Sequence, residues 1–408
     1  MTIKERKLEF DASGQLAPWT SWSNALTLEM GYYRLCPLDH GYPRFVCETF
    51  LDGDWTPNSN RIDIIPSTQN GMGIISYLKF HSSTGRQDPW LLEVARSMGD
   101  YLVSEVLTPA AGKYPAFTRS TGIRGQFPQA ADCGSQSDRP YEIEPDKGGI
   151  AGYALMRLFE ASGDSKYLAQ GLHNARVLAG AQQPGDASHS PWPFRVDYRT
   201  GEGRGPVAGN MSYILRLYDL LAAHGYGEFA AARESLWTWI KSFQLPSAHG
   251  DGALFAQFFE DHDTPTNRTS WGPLNLARYL LEEKDRLDGG WLEDCGVLID
   301  FVRRNFIHQE HGVNVCHEQD EDHQAWGGAN STYGAVLAMY ARAVGSTALA
   351  DEARQALNFT LYSIDEQGRP RDLGMNAAPG GWQEDAHTDV IHNYIDAMRA
   401  FPEWGAIG

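Results

Sequence analysis

One helical hairpin, repeated along the chain, limits the possible folds more than any other feature. Its pattern is set by Gly149-Ile-Ala-Gly-Tyr-Ala-Leu-Met-Arg-Leu-Phe-Glu160, which is apolar nearly all round, as a buried helix should be. Gly163 suits a left-handed C-terminal cap, and Asp164 or Ser165 suits the cap of the next helix. Lys166–Leu178 then reads as an amphipathic helix with one polar face. Buried-type helices recur from near Gly73, Gly149, Asn210, Asn275, Thr332 and His392, at spacings of roughly sixty residues. Amphipathic partners follow the first five, at Trp90–Leu107, Lys166–Ala181, Glu228–Phe243, Leu292–Phe306 and Ala348–Tyr362. The sixth unit ends near Trp404 and takes its partner from the N-terminal region, at Asn24–Leu35, which closes a ring.

The connections are unequal. Turns from buried to amphipathic helices are short, such as Ser162-Gly-Asp and Val344-Gly-Ser-Thr. The return connections, about 107–148, 182–209, 244–274, 307–331 and 363–391, are long, and loops of that length in a compact domain are usually functional. If the buried helices are parallel, every long loop falls on one face. The expectation is an all-α (α/α)6 barrel, a toroid of six hairpins with long loops on a funnel face. It forms one domain over 1–408, with 1–70 as the region that closes the ring.

Charge narrows the partners. The 408 residues carry 34 Lys+Arg against 52 Asp+Glu, a formal net charge of −18. That balance argues against nucleic acid and against anionic membranes. No apolar run reaches the ~18 residues of a membrane span. The charged opening Met1–Phe10 lacks the apolar core of a signal peptide, which predicts a cytoplasmic protein. Five scattered cysteines, Cys36, Cys47, Cys133, Cys295 and Cys316, read as reduced thiols. Several tryptophans stand in polar, glycine-rich stretches where packing does not call for them: Trp19, Trp22, Trp55, Trp192, Trp271, Trp326 and Trp382.

The long loops concentrate acids, histidines and indoles. Before the Gly149 helix stand Tyr141, Glu142, Glu144, Asp146 and Lys147; Asp146 is either an N-cap or a carboxyl aimed into the funnel. The loop Cys316-His-Glu-Gln-Asp-Glu-Asp-His-Gln-Ala-Trp-Gly-Gly328 is the densest, with Asp320, Asp322, His323 and Trp326. A solvated acidic loop is the bland alternative, but it has no use for an indole, whereas the apolar face of a sugar stacks on one. Cys316, His317, Glu318 and His323 are metal-ligand types, yet no zinc spacing is matched, and no metal or cofactor is expected. The last loop offers Trp382, Glu384, Asp385 and His387 before Asp389 and His392. Asp389 falls in a first helical turn, where an acid is favoured anyway. Arg268 is suited to grip a carboxylate at two points, with Trp271 beside it; Trp192, Arg195, Arg204 and Asn210 complete the set, Asn210 being equally suited to a cap.

Over residues 70–404 the hairpins typified by Gly149–Leu178, with acidic, aromatic loops such as Asp320–Trp326, resemble the six-hairpin glycosidase superfamily and the related α/α-toroid polysaccharide lyases. The resemblance implies a funnel site lined by the outer-to-inner loops and an oligosaccharide or polysaccharide substrate. Glycoside hydrolysis needs two carboxyl groups across the bond, one of them protonated near neutral pH. A crowded acidic funnel raises one pKa by repulsion and desolvation. The leading pair is Asp146 with Asp322, placed for inversion, with Glu142, Asp320 and Asp385 as substitutes. Tyr141, Lys147, Trp192, Asn210, Arg268, Trp271, His323, Trp326, Trp382, His387 and His392 are the candidate substrate contacts. β-Elimination at a uronate is the runner-up, served by Tyr141, His323, His387, Lys147 and Arg268, and the net charge weighs against it. A sugar epimerase using loop histidines and a non-catalytic carbohydrate-binding toroid are the further alternatives.

Overall fold

The computed structural model describes residues 6–43, 50–51, 65–120, 139, 141–258, 264–370, 382–383 and 387–406. Among them, inner helices α2 (Pro66–Ser83), α4 (Pro145–Ser162), α6 (Ser212–Ala223), α9 (Trp271–Glu283), α11 (Gly327–Val344) and α13 (His387–Ala400) alternate with outer ones. The outer helices are α1 (Trp22–Leu35), α3 (Pro89–Ser104), α5 (Ser165–Ala181), α7 (Ala230–Trp239), α10 (Trp291–Asn305) and α12 (Thr347–Leu361). A π-turn at Ile240–Gln244 and the short α8 (Leu245–Ser247) extend α7.

Each inner helix packs on the next in chain order, and α13 packs back on α2, so the inner ring is closed. The fold is an (α/α)6 toroid. Its closure uses the chain's first helix. Trp22 of α1 stacks on Tyr394 of α13 at 5.7 Å and meets Trp404 edge-on at 5.3 Å.

The inner helices run the same way. Gly149 faces Ile214 and Gly152 faces Leu217, so residue numbers rise together in α4 and α6. Ser76 and Lys79 of α2 likewise meet His392 and Asp396 of α13. Space at the α4 contact is tight. A Cβ on Gly149 would come within 2.6 Å of Ile214 Cγ1, so that position takes no side chain. Parallel inner helices put all their N-termini at one end of the ring, with the long connections.

The caps follow the expected chemistry. Gly163 ends α4 at φ 73°, Gly345 ends α11 at φ 71°, and the Asp164 carboxylate accepts from Lys166 N to start α5. Most inner helices begin earlier than their apolar pattern suggests. Prolines at the first helical position start α2 and α4, where a missing N–H costs nothing. Cys36, Cys295 and Cys316 are buried and in no disulfide; Cys47 and Cys133 lie outside the described residues. No helix among the described residues is long and apolar enough to cross a membrane.

Candidate functional site

Short β elements tie the long loops together in neighbouring pairs. Strands Glu142–Ile143, Arg195–Asp197 and Gly203–Arg204 join the loops before α4 and α6. Between the loops before α9 and α11, Ser270 N donates to Glu318 O at 2.9 Å, and Thr269 bridges Gln319. Arg268 adds a side-chain strap: its Nε and Nη2 donate to the two Asp320 carboxylate oxygens at 2.8 and 2.9 Å. The loops are thereby held in register, which places Trp271 beside Trp326.

These two indoles form a small buried apolar cluster with Phe258 and Ala329, separate from the main core. Phe258 stacks on Trp271 at 6.3 Å. Each indole also holds a carboxylate. Trp326 Nε1 donates to Asp322 Oδ2 at 2.7 Å, and Trp271 Nε1 donates to Glu318 Oε1 at 3.2 Å. Asp322 Oδ1 accepts from Gln324 N at 2.9 Å, so both oxygens of that half-buried carboxyl are engaged.

Across the ring, Asp146 stands in the first turn of α4 and is 1% exposed. It is not the helix cap, since the N-cap position belongs to Glu144. Lys147 Nζ lies 3.1 Å from Asp146 Oδ2 and 3.6 Å from Glu144, sits 3.5 Å over the Phe258 ring, and donates to Phe258 O. Glu144 in turn lies 3.3 Å from the buried Arg195. Asp146 Oδ1 accepts no hydrogen bond among the described residues. Burial pushes the Asp146 carboxyl up, and the Lys147 ammonium pulls it only part of the way back. Asp146, Lys147, Phe258, Trp271, Trp326 and Asp322 therefore form one chain of contacts at the helix N-termini.

Other expected residues do something else. Trp192 is fully buried, its indole donating to Leu178 O, and cannot stack on a ligand. Glu142 is bound by Arg204 at 2.8 Å. Burial raises its carboxyl, but Arg204, the Arg139 N–H and Arg195 together outweigh burial and hold it low, which removes it as an acid. Arg268 and Asp320 occupy each other, so neither offers a two-point grip to a ligand or a spare carboxyl. Tyr141 is 48% exposed with Arg199 stacked 3.4 Å over its ring. Asn210 is buried just before α6, whose N-cap position is Met211; its Oδ1 accepts from Ser212 Oγ at 2.7 Å. His392 is buried in α13, 2.8 Å from Ser76 Oγ, away from the loops. Asp385 and the side chains of Trp382 and His387 lie outside the described residues.

His323 stacks on His317 at 4.6 Å with 11° between rings, and His317 Nδ1 is 3.4 Å from His308 Nδ1. Burial, with His323 and His308 beside it, pushes the His317 imidazole down to about 4. No group of three or more His, Cys, Asp or Glu among the described residues is arranged to hold a metal. The sequence marks Glu144 as a loop acid and Glu318 as a ligand type without giving either a place in the site, and it does not mark Phe258. The Glu144-Pro145 step, an acid just before a helix-starting proline, was the available signal for the first.

No known protein family matches the chain, and no curated protein sequence is detectably similar to it. Solved structures are. Cellobiose 2-epimerase from Spirochaeta thermophila aligns with a TM-score of 0.68 at 15% identity, over 93% of this chain and 96% of its own. A D-mannose isomerase aligns at 0.66 and 10% identity, over 92% and 96%. A family 76 glycoside hydrolase from a bovine Bacteroides thetaiotaomicron strain aligns at 0.62 and 12%, over 97% and 83%. At such identities the likeness speaks of the backbone alone, and on it this chain is a member of the six-hairpin (α/α)6 toroid fold.

Proposed function

We propose that the chain hydrolyses a glycosidic bond in an oligosaccharide, Asp146 giving the proton to the leaving oxygen and Asp322 activating the attacking water. One observation carries this reading: the two carboxyls have opposite surroundings. Asp146 is buried and pushed up, with Oδ1 accepting no hydrogen bond among the described residues; Asp322 accepts a hydrogen bond on each oxygen. A buried carboxyl pushed up suits the proton donor, and a hydrogen-bonded carboxyl on a partly exposed loop is placed to take a proton from water. Asp146 starts α4 and Asp322 precedes α11, three places apart in a ring of six, so the two carboxyls reach the mouth from opposite sides, as groups flanking a scissile bond must. Trp271 and Trp326, at 6% and 8% exposure, wall the site and orient Glu318 and Asp322 through their indole N–H groups. The similarity to a family 76 glycoside hydrolase supports a carbohydrate substrate.

A second reading, epimerisation or isomerisation of a sugar, is favoured by the stacked His317 and His323, the former held neutral at neutral pH as a base requires. The epimerase and isomerase among the similar structures support it. Elimination at a uronate is disfavoured because Arg268, its expected carboxylate clamp, is taken by Asp320.

The test incubates wild type, Asp146→Asn and Asp322→Asn with neutral and uronate-bearing oligosaccharides. Reducing-end release, the anomer first formed, and the ultraviolet absorbance of unsaturated sugar are followed together. Expected are release with inversion and a loss of roughly 10²–10⁴-fold in each variant. Growth of the absorbance, a changed sugar without release, or full activity in both variants rejects the proposal.

A further inference from the structure

Below the acid and aromatic patch, Met72, Ile150 and Tyr213 meet at the barrel axis, packed with Ile75 and Tyr153. Beyond them a cavity of about 470 Å³ opens among the C-terminal halves of the inner helices, at the short-turn end of the toroid. Small-molecule sites run to roughly 300–1,000 Å³, so this one has the size for a compact metabolite. Six lysine and arginine side chains and three glutamates line it, with the Asp396 carboxylate behind Lys79, so cations outnumber anions there in a chain of net charge −18.

Part of that charge is architectural. Cations near helix C-termini offset the helix dipoles. Arg216 is paired with Glu282, and Lys79 holds Asp396 at 2.6 Å. These pairs stiffen the wall and add no net charge. What they leave over is informative. Arg278 is 4% exposed, yet its Nε donates no hydrogen bond among the described residues; the nearest carboxylate, that of Asp396, is 3.8 Å away and already bound to Lys79. Arg86 and Arg399, at the mouth, have no ion-pair partner among the described residues. A buried guanidinium with an idle donor, facing a cavity whose rim carries two more guanidiniums, needs an anion with several oxygens to balance it. Three guanidiniums on one cavity, each a planar donor fork, match phosphate better than a single carboxylate.

We propose that this rear cavity binds a small, multiply charged phosphate compound, at a site separate from the acid and aromatic patch. The ligand's phosphates lie between Arg278 at the base and Arg86 and Arg399 at the rim.

Calorimetry on the full chain, with inorganic pyrophosphate and with citrate at matched ionic strength, tests it. The Arg86→Glu/Arg399→Glu double variant reverses two exposed charges without touching the packed interior, so its fold is retained. Arg278→Gln is run beside it, with thermal unfolding as the check on its fold. Expected are one pyrophosphate per chain, a rise in Tm on binding, and at least a tenfold weaker Kd in the double variant. Absence of pyrophosphate binding, or an unchanged Kd in the double variant, overturns the site. Citrate binding as tightly as pyrophosphate overturns the phosphate assignment.

Discussion

Lys147 joins the start of α4 to the aromatic patch before α9: its Nζ lies 3.1 Å from Asp146 Oδ2 and 3.5 Å from the centre of the Phe258 ring. The lysine thus tunes the carboxyl and seats the patch. In Lys147→Met the charge that pulls the Asp146 carboxyl down is gone, so that carboxyl rises further. A proton donor with a raised pKa stays protonated to higher pH, and the alkaline limb of the pH–rate profile moves up. Glu144 loses one of its cations, and the variant is less stable by about 3–5 kcal/mol in urea unfolding. A limb that moves down assigns the proton donor elsewhere.

The Arg268–Asp320 strap predicts a local effect. Both side chains are partly exposed, at 23% and 28%. Arg268→Gln costs about 1–3 kcal/mol. Hydrogen exchange quickens at Asp320, whose N–H donates to Arg268 O, and at Arg268, whose N–H donates to the Asp320 carboxylate. Arg268→Lys keeps the charge, loses the two-point geometry and falls between. Asp320→Asn added to Arg268→Gln costs less than the sum of the two, as partners in one contact do.

The hairpins were legible because a buried helix differs from an amphipathic one in composition alone, as Gly149–Glu160 differs from Lys166–Leu178. Helix starts were less so. Polar residues such as Asn70, Asp146, Lys147 and Asn330 lie inside the inner helices, buried by neighbours distant in sequence, and they break the apolar pattern. The same limit governs the site. The sequence marked Asp146, Asp322, Trp271 and Trp326 by type and position. It could not mark which acids are already spent, because Glu142 meets Arg204 and Asp320 meets Arg268 across 62 and 52 residues. Trp192 misled for a related reason: a glycine-rich, polar neighbourhood in sequence is a packed interior in space.

His317 predicts how stability falls with acid. Its imidazole is held down to about 4 in the folded chain, against an ordinary value of roughly 6.5 in the unfolded one. The unfolded state therefore binds more protons between those values, and stability drops as pH falls from about 6.5 towards 4. His317 accounts for roughly 2–3 kcal/mol of that drop. Buried His392, also held low, adds to it with the same sign. Urea unfolding at several pH values reads the slope. His317→Gln flattens part of it; a slope unchanged in that variant shows that His317 titrates normally.

Close packing at the α4–α6 contact separates two glycine substitutions. Alanine is better than glycine in a helix by about 1 kcal/mol, so Gly31→Ala in α1, where a Cβ meets nothing within 4 Å, raises stability by up to that amount. Gly149→Ala earns the same helical gain but drives a methyl to 2.6 Å from Ile214 Cγ1, with the Ile214 backbone nitrogen 3.4 Å away. Overpacking of this kind costs roughly 1–3 kcal/mol, so Tm falls where Gly31→Ala raises it. Replacing Ile214 by valine in the Gly149→Ala background leaves out the far methyl and keeps Cγ1 under pressure, whereas Ile214→Ala removes the clash itself. A double-mutant cycle with Ile214→Ala therefore shows favourable coupling. Additive losses at the two positions contradict direct contact between the parallel helices and, with it, the shared direction that brings the loops to one end.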